Sequence, residues 1–425
     1  MAKPKELTKH LGLVELVFFG IGAIVGTGIF VIPAIVASLA GVASLIVWLE
    51  LGLLTIFMAL CFAELSSIHP HAGGPYIFVK EAFGEFAGFL SGWSAWLVSW
   101  VTIASLAVAT SFYIGYFVPL THLMEVMIAI VLLVGITAIN IFGMKWGLKA
   151  QYVLTTISIL VLWMFVTWGI YWIDLSNYQP TQIVTLPILL AAAVWVIEPF
   201  MGWETITYFS EDAINPKRDV PKAIIYSSIF VTVIYCAVIF VTMGLLDQAS
   251  LGASKYPLAL ASEVFLTKKG AVVMAVGAIA VLLGCLNSWI ASTARLPFAL
   301  ARDGLFPNFL SAVHKKHGTP WKSLIFQMVF AIAVVLLGGF EEIITILVVV
   351  AMFLYIPVFL SIFVYRKKIK DIPYKVPLVK VVVGVAVGLA VFLLINTDPW
   401  FLLAGGGLVL CGTPVYWYMT RKRKK

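Results

Sequence analysis

An apolar stretch long enough to cross a bilayer tolerates a run of glycines only where the broken backbone is put to use. Residues 20–30 read Gly20-Ile-Gly-Ala-Ile-Val-Gly-Thr-Gly-Ile-Phe30, with four glycines in the first nine positions, inside such a stretch. Each glycine costs a helix about 1 kcal/mol relative to alanine. In hydrocarbon, an unpaired N–H or C=O costs more still unless it lines a cavity or finds another partner. A break at this place therefore implies that the freed groups hold something, as in the discontinuous helices of secondary transporters.

The rest of the chain has the same character. It is 62% hydrophobic and 11% charged, too apolar for a chain of 425 residues to bury in water. Twelve apolar runs suit a hydrocarbon core about 30 Å thick: 12–40, 43–65, 86–118, 124–143, 150–172, 186–209, 223–246, 271–301, 323–339, 343–365, 378–395 and 400–419. The sequence thus predicts an all-α polytopic membrane protein of twelve spans and a single transmembrane domain over 1–425. The lipid bilayer is its first partner.

The net charge of +8 does not mark a nucleic-acid binder, because of where the charge lies. With the N-terminus inside, all 28 basic residues except Lys255, Lys268 and Lys269 fall at cytoplasmic ends, from Lys3, Lys5 and Lys9 to the closing Arg421-Lys-Arg-Lys-Lys425. The positive-inside rule then places both termini in the cytoplasm and the chain in the cytoplasmic membrane. Cys61, Cys236, Cys285 and Cys411 all fall in apolar runs and read as small buried residues, not as a disulfide framework or a metal site. The Lys-rich start precedes a run too long for a signal peptide.

A second break lies five spans after the first, where Glu198-Pro-Phe-Met-Gly202 interrupts the run 186–209. Pro199 removes a helix hydrogen bond and Gly202 loosens the next turn. Interrupted spans in matching positions of two halves point to a repeat with a site between them. Five spans per half is an odd number, so the second half is inverted. Two ordinary kinked helices are the plainer alternative.

Several segments together resemble the amino acid–polyamine–organocation transporter superfamily, in particular its cationic-amino-acid-transporter-like bacterial and archaeal branch. The Gly20–Phe30 segment is similar to its span 1 signature. Ala63-Glu-Leu65, Pro70-His-Ala-Gly-Gly-Pro-Tyr76 and Phe83-Gly84 resemble its first cytoplasmic loop. Gly202-Trp-Glu204, Glu211 and Asn215-Pro-Lys-Arg-Asp-Val-Pro221 resemble the end of span 6 and the loop after it. Arg295, Ala301-Arg-Asp-Gly304, Pro307 and Gly318-Thr-Pro320 resemble the loop after span 8. The resemblance implies the LeuT-type fold: one repeat over about 12–172, an inverted one over about 186–365, and two extra helices over about 378–419.

It also implies a site. The substrate carboxylate meets backbone N–H groups of Thr27 and Gly28, just after Gly26 of the same site, where a helix N-terminus offers donors and partial positive charge. The substrate amine meets carbonyls of Ile24, Glu198 and Met201, with Gly202 beside them. An amino acid or a polyamine is the expected substrate, with alternating access as the mechanism and no obligate protein partner. The open alternatives are an uncoupled exchanger of neutral amino acids and a transporter-like sensor. A sensor usually carries a long signalling segment, and none is read here. No catalytic set, nucleotide loop, charge ring or filter repeat supports an enzyme or a channel.

Two residues depart from the family pattern. Glu198 stands where the family is commonly aromatic or apolar, and an intramembrane carboxylate suggests function. Three readings stay open: it binds a second positive charge on a cationic amino acid or polyamine, it carries a proton, or it is a structural acid supporting the backbone at Pro199. Ser158 stands where many relatives place a lysine. In its absence, carbonyls of Gly22 and Val25 with Ser158 and Ser288 would suit Na⁺ as coupling ion; H⁺ through Glu198 and no coupling at all are the alternatives. No cofactor and no metal site are expected. Glu50, in span 2, either shares the environment of Glu198 or is solvated near the external surface. Glu64 and Glu204 read as structural acids. Trp93, Trp96 and Trp100 read as packing, and Trp172, Tyr178, Trp400 and Trp417 as interfacial anchors. His69, His71 and His314 make no metal spacing.

Overall fold

The computed structural model describes residues 11–70, 73–142, 144–180 and 183–423, with the side chains of 144–151 excepted. Lys3, Lys5, Lys9, His71, Gly143, Lys424, Lys425 and the side chains of Lys145 and Lys149 lie outside the described residues. What is described is helical, apart from one isolated bridge between Leu11 and Ala213. In chain order the helices are α1 (Leu13–Ile24), α2 (Thr27–Ala40), α3 (Ser44–Ile68), α4 (Pro75–Phe83), α5 (Glu85–Ile114), α6 (His122–Phe142), α7 (Met144–Gly169), α8 (Leu186–Val196) and α9 (Pro216–Leu245). They continue with α10 (Gln248–Gly252), α11 (Pro257–Thr293), α12 (Arg295–Arg302), α13 (Trp321–Leu337), α14 (Phe340–Lys368), α15 (Val379–Ile395), α16 (Pro399–Leu410) and α17 (Gly412–Arg423).

Nine segments among the described residues are long and apolar enough to cross a membrane. The first, Leu13–Ile68, holds α1, α2 and α3 together, and another, Leu186–Phe209, holds α8 and the second break. The apolar helices α13 and α15 are shorter, at 17 residues each. The run expected over 271–301 is only part of its helix. Helix α11 starts at Pro257 and bends at Thr267, whose φ of 61° is outside helical space. The short helices α4 and α10 were not expected. Helix α4 is framed by glycines, since Gly74 (φ 44°) and Gly84 (φ 98°) stand where L side chains are strained.

Helix α3 packs along α9, α5 lies against both α11 and α14, α11 against α7, α6 against α13, and α1 against α9. Buried serines and threonines donate to carbonyls of their own helix, as Ser99 does to Ala95, Thr110 to Leu106 and Thr242 to Val238. That habit satisfies a hydroxyl where water is absent. Trp96 stacks on Phe326 with centroids 5.3 Å apart, and Trp100 meets Phe330, so the tryptophans of α5 pack as expected. Trp172, Trp400 and Trp417 are exposed.

Ion pairs gather where helices end. Glu64, fully buried on α3, takes Arg366 Nε and Nη2 at 2.7 and 2.6 Å and the Val376 N–H at 2.7 Å. Lys80 donates to Asp303 at 2.6 Å, and the Tyr76 hydroxyl donates to the same oxygen, tying α4 to the turn after α12. Arg295 pairs with Asp212 at 3.0 Å while lying over the Phe209 ring. Leu11 bridges onto that segment through Leu11 N–H to Asp212 O and Ile214 N–H to Leu11 O. Glu50 is exposed on α3 beside exposed Leu49 and Leu53. This sets Glu50 apart from the buried Glu198, against an environment shared by the two.

Candidate functional site

Both interrupted segments break where glycine and proline demand it. Helix α1 stops at Ile24, Val25 turns extended (ψ 98°), and Gly26 takes φ −152° and ψ −137° before α2 starts at Thr27. Helix α8 ends at Val196, a single 3₁₀ turn covers Glu198–Phe200, and Gly202 enters the left-handed region at φ 117°. A 3₁₀ stretch, Trp203–Phe209, then carries the chain onward.

The two breaks touch. A methyl group on Gly28 would overlap the Cα and ring of Pro199, and one on Gly202 would lie 2.8 Å from the Ala23 carbonyl oxygen. Gly202 is thus required twice, for its left-handed turn and for the approach of backbone to backbone, and Gly28 for the approach.

The freed backbone groups have partners from neighbouring helices. Ala23 O accepts Trp289 Nε1 at 3.0 Å and the Cys285 thiol at 3.4 Å, both from α11. Ile24 O accepts the Tyr235 hydroxyl of α9 at 3.2 Å. At the second break, Glu204 accepts from the Gly202 N–H at 3.0 Å and from the Tyr355 hydroxyl of α14 at 2.8 Å. Glu204 therefore braces the left-handed turn. Tyr355→Phe removes one of its donors in a buried position and is expected to lower stability by about 1–3 kcal/mol, read as a shift in thermal unfolding of the detergent-solubilised protein.

Between the breaks lies a cavity of about 20 Å³. That is room for about one water, so an organic substrate enters only if the walls move. Ile24, Gly26, Thr27, Glu198 and Met201 line it, joined by Thr102 and Leu106 of α5, Cys285 and Trp289 of α11, and Leu347 of α14. Phe200 packs on Trp48 and Tyr235, and Trp203 on Phe62 and Tyr355, so aromatic clusters flank Met201 and Gly202 on both sides along the chain.

Glu198 is the one acid on this wall. Its side chain is buried at 8% exposure; Oε1 accepts the Thr27 hydroxyl at 2.6 Å, and Oε2 has no protein partner. Gly28 and Gly202 do not line the cavity but form the contact that creates it. Gly22, Val25, Ser158 and Ser288 are buried and also stand off its wall. Ser158 donates to Leu154 O at 2.9 Å within α7, while Ser288 Oγ has no hydrogen-bond partner. Cys61 and Cys285 are buried as expected, and Cys285 also lines the cavity, which no spacing in the sequence signals; Cys236 is half-buried and Cys411 exposed, against the expectation that all four are buried.

A profile described as "Amino acid permease" matches residues 11–418, nearly the whole of the chain, both breaks included. The chain belongs to the amino acid permease family. It is accordingly a transporter and not an enzyme, and a multi-pass membrane protein. The permease is 28% identical to a branched-chain amino acid permease of Bacillus subtilis, over 99% of this chain and 95% of that one. It is 28% identical to a methylthioribose transporter of the same organism, with the same two coverages. It is also 28% identical to the human large neutral amino acids transporter small subunit 2, over 96% of this chain and 80% of that protein.

Proposed function

We propose that the permease is a secondary transporter that carries neutral amino acids across the cytoplasmic membrane by alternating access. The observation that carries this reading is the meeting of two broken helices at a buried cavity, Gly28 against Pro199 and Gly202 against Ala23. Such a place offers a zwitterion the donors of the α2 N-terminus and carbonyls of α1 within one small volume. The relatives named for branched-chain and large neutral amino acids support neutral side chains. So do the apolar cavity walls from α5, α11 and α14.

The architecture we infer is twelve spans in a LeuT-type 5+5 inverted repeat plus two, with both termini cytoplasmic. Counting α1–α2 as span 1 and α8 with its continuation as span 6, packing recurs at an offset of five. Span 5 lies on span 8 as span 10 lies on span 3, and span 1 lies on span 7 as span 6 lies on span 2. Spans 2, 3 and 4 each pack on their own counterparts, 7, 8 and 9. Contacts of this kind are what a two-fold relation between halves produces.

A second reading, transport of cationic amino acids or polyamines, draws on one observation, the unpartnered Glu198 Oε2 on the cavity wall. Purified protein in liposomes decides between them. Uptake of labelled leucine, isoleucine and phenylalanine, with arginine and putrescine carried poorly, is the expected result. The reverse order would replace the first reading by the second. Methylthioribose belongs in the panel because one relative is named for it. Imposing Na⁺ and H⁺ gradients separately identifies the coupling ion. Activity of the chain reconstituted alone would support function without a protein partner.

A further inference from the structure

We propose that Glu198 occupies, in the empty site, the position an amino acid carboxylate must take, so that each substrate is carried with one proton held on Glu198. This rests on the reading that the permease carries amino acids, and it names the coupling ion of that same site.

The argument starts from helix α2. It is 14 residues long, its N-cap is Gly26, and no side chain caps its first turn. The N–H groups there have no partner within the helix and carry partial positive charge. The Thr27 hydroxyl, on the first residue of α2, donates to Glu198 Oε1 at 2.6 Å. A carboxyl group of the protein is thus held at the anion-attracting end of the broken helix. Its second oxygen is buried, lines the cavity and has no protein partner.

Among the described residues, the cavity wall carries no lysine, arginine or histidine. From α9 the titratable group facing Glu198 is Tyr235, and from α11 it is Cys285; both donate to carbonyls of the first break. Glu204, further along the same segment, is engaged by Tyr355 of α14 and by the Gly202 N–H. From α2 the facing group is Thr27; α5 contributes Thr102 and apolar side chains, and Glu50 of α3 is exposed. The N-terminus of α2 is the positive feature of the site, and it serves one carboxylate. When a substrate brings a second, like charges in one small volume leave one group protonated.

The proton goes to Glu198 Oε2, taken from the side the substrate enters, and that oxygen turns from acceptor to donor toward the incoming carboxylate. On the far side the substrate leaves, the proton follows, and Glu198 remains at Thr27. One proton crosses with each substrate, and no bond to carbon is made or broken.

The test uses the full chain in liposomes loaded with a pH-sensitive dye, with L-leucine as probe. Wild type is expected to exchange leucine at equal pH, to accumulate it under an inward proton gradient, and to acidify the lumen when leucine is added. With the membrane potential clamped at zero, a gradient of about two pH units sets a ceiling of about 100-fold accumulation for one proton per substrate. Glu198→Gln keeps an acceptor for Thr27. It is expected to lose both accumulation and acidification while unfolding thermally close to wild type, which shows that the variant folds. Net leucine uptake by wild type into leucine-free liposomes without acidification of the lumen would overturn the proposal and leave the amino-acid reading standing. Accumulation by Glu198→Gln equal to wild type would do the same. Loss of exchange in Glu198→Gln with no proton movement in wild type would assign Glu198 to the substrate ammonium instead. Failure of wild type to exchange any amino acid would overturn both readings.

Discussion

Gly28→Ala is expected to abolish uptake and to cost about 1–3 kcal/mol of stability, the usual penalty for forcing a methyl group into a packed interior. The added carbon would overlap Pro199 Cα as well as its ring. A flexible side chain could swing aside; a proline backbone fixed inside a 3₁₀ turn cannot. The two breaks must then separate, and the cavity between them changes shape. A good control is Gly407→Ala, in the middle of α16, where an added methyl meets nothing within 4 Å. There the helix gains about 1 kcal/mol at most and uptake stays unchanged. Comparing uptake rate and thermal unfolding of the two variants in the same preparation separates a local steric effect from a general intolerance of substitution. Wild-type uptake by Gly28→Ala would mean that the breaks are not a rigid unit.

Arg366→Met carries the largest expected loss of stability, about 3–5 kcal/mol, because it strands a buried charge. Glu64 is fully buried and takes three donors, two of them from Arg366. Arg366 is itself partly exposed and also donates to Val376 O at 2.7 Å, so the change also loosens the segment after α14. The pair is not expected to be worth that much in its own right. Removing both charges, as Glu64→Met with Arg366→Met, should recover most of the loss, since an apolar pair of similar volume often does as well as a buried ion pair. Yield and melting temperature of the single and double variants measure this. Equal melting of single variant and wild type would show that Glu64 finds other partners.

The breaks were legible in the sequence because glycine and proline inside an apolar run admit few explanations. Gly26 and Gly202 both stand where the backbone leaves helical space, and Pro199 stands in the 3₁₀ turn. Glu198 was legible for the same reason, a charged group where charge is costly. The rest of the cavity was not. Leu106, Cys285, Trp289 and Leu347 are ordinary members of apolar helices, and a helix apolar all round gives no sign of which face meets a cavity. Partners of the freed carbonyls stayed hidden too, because Tyr235 and Trp289 lie more than 200 residues from Ile24 and Ala23. The bent helix α11 was missed since the sequence around Thr267, with Lys268 and Lys269, reads as a loop.

Two backbone hydrogen bonds join Leu11 to Asp212 and Ile214, and Arg295 holds Asp212 from α12. Ruptured together with exposure to water, these ties are worth about 1 kcal/mol each. Ties that light add little resistance to any separation of the chain before α1 from the segment after the second break.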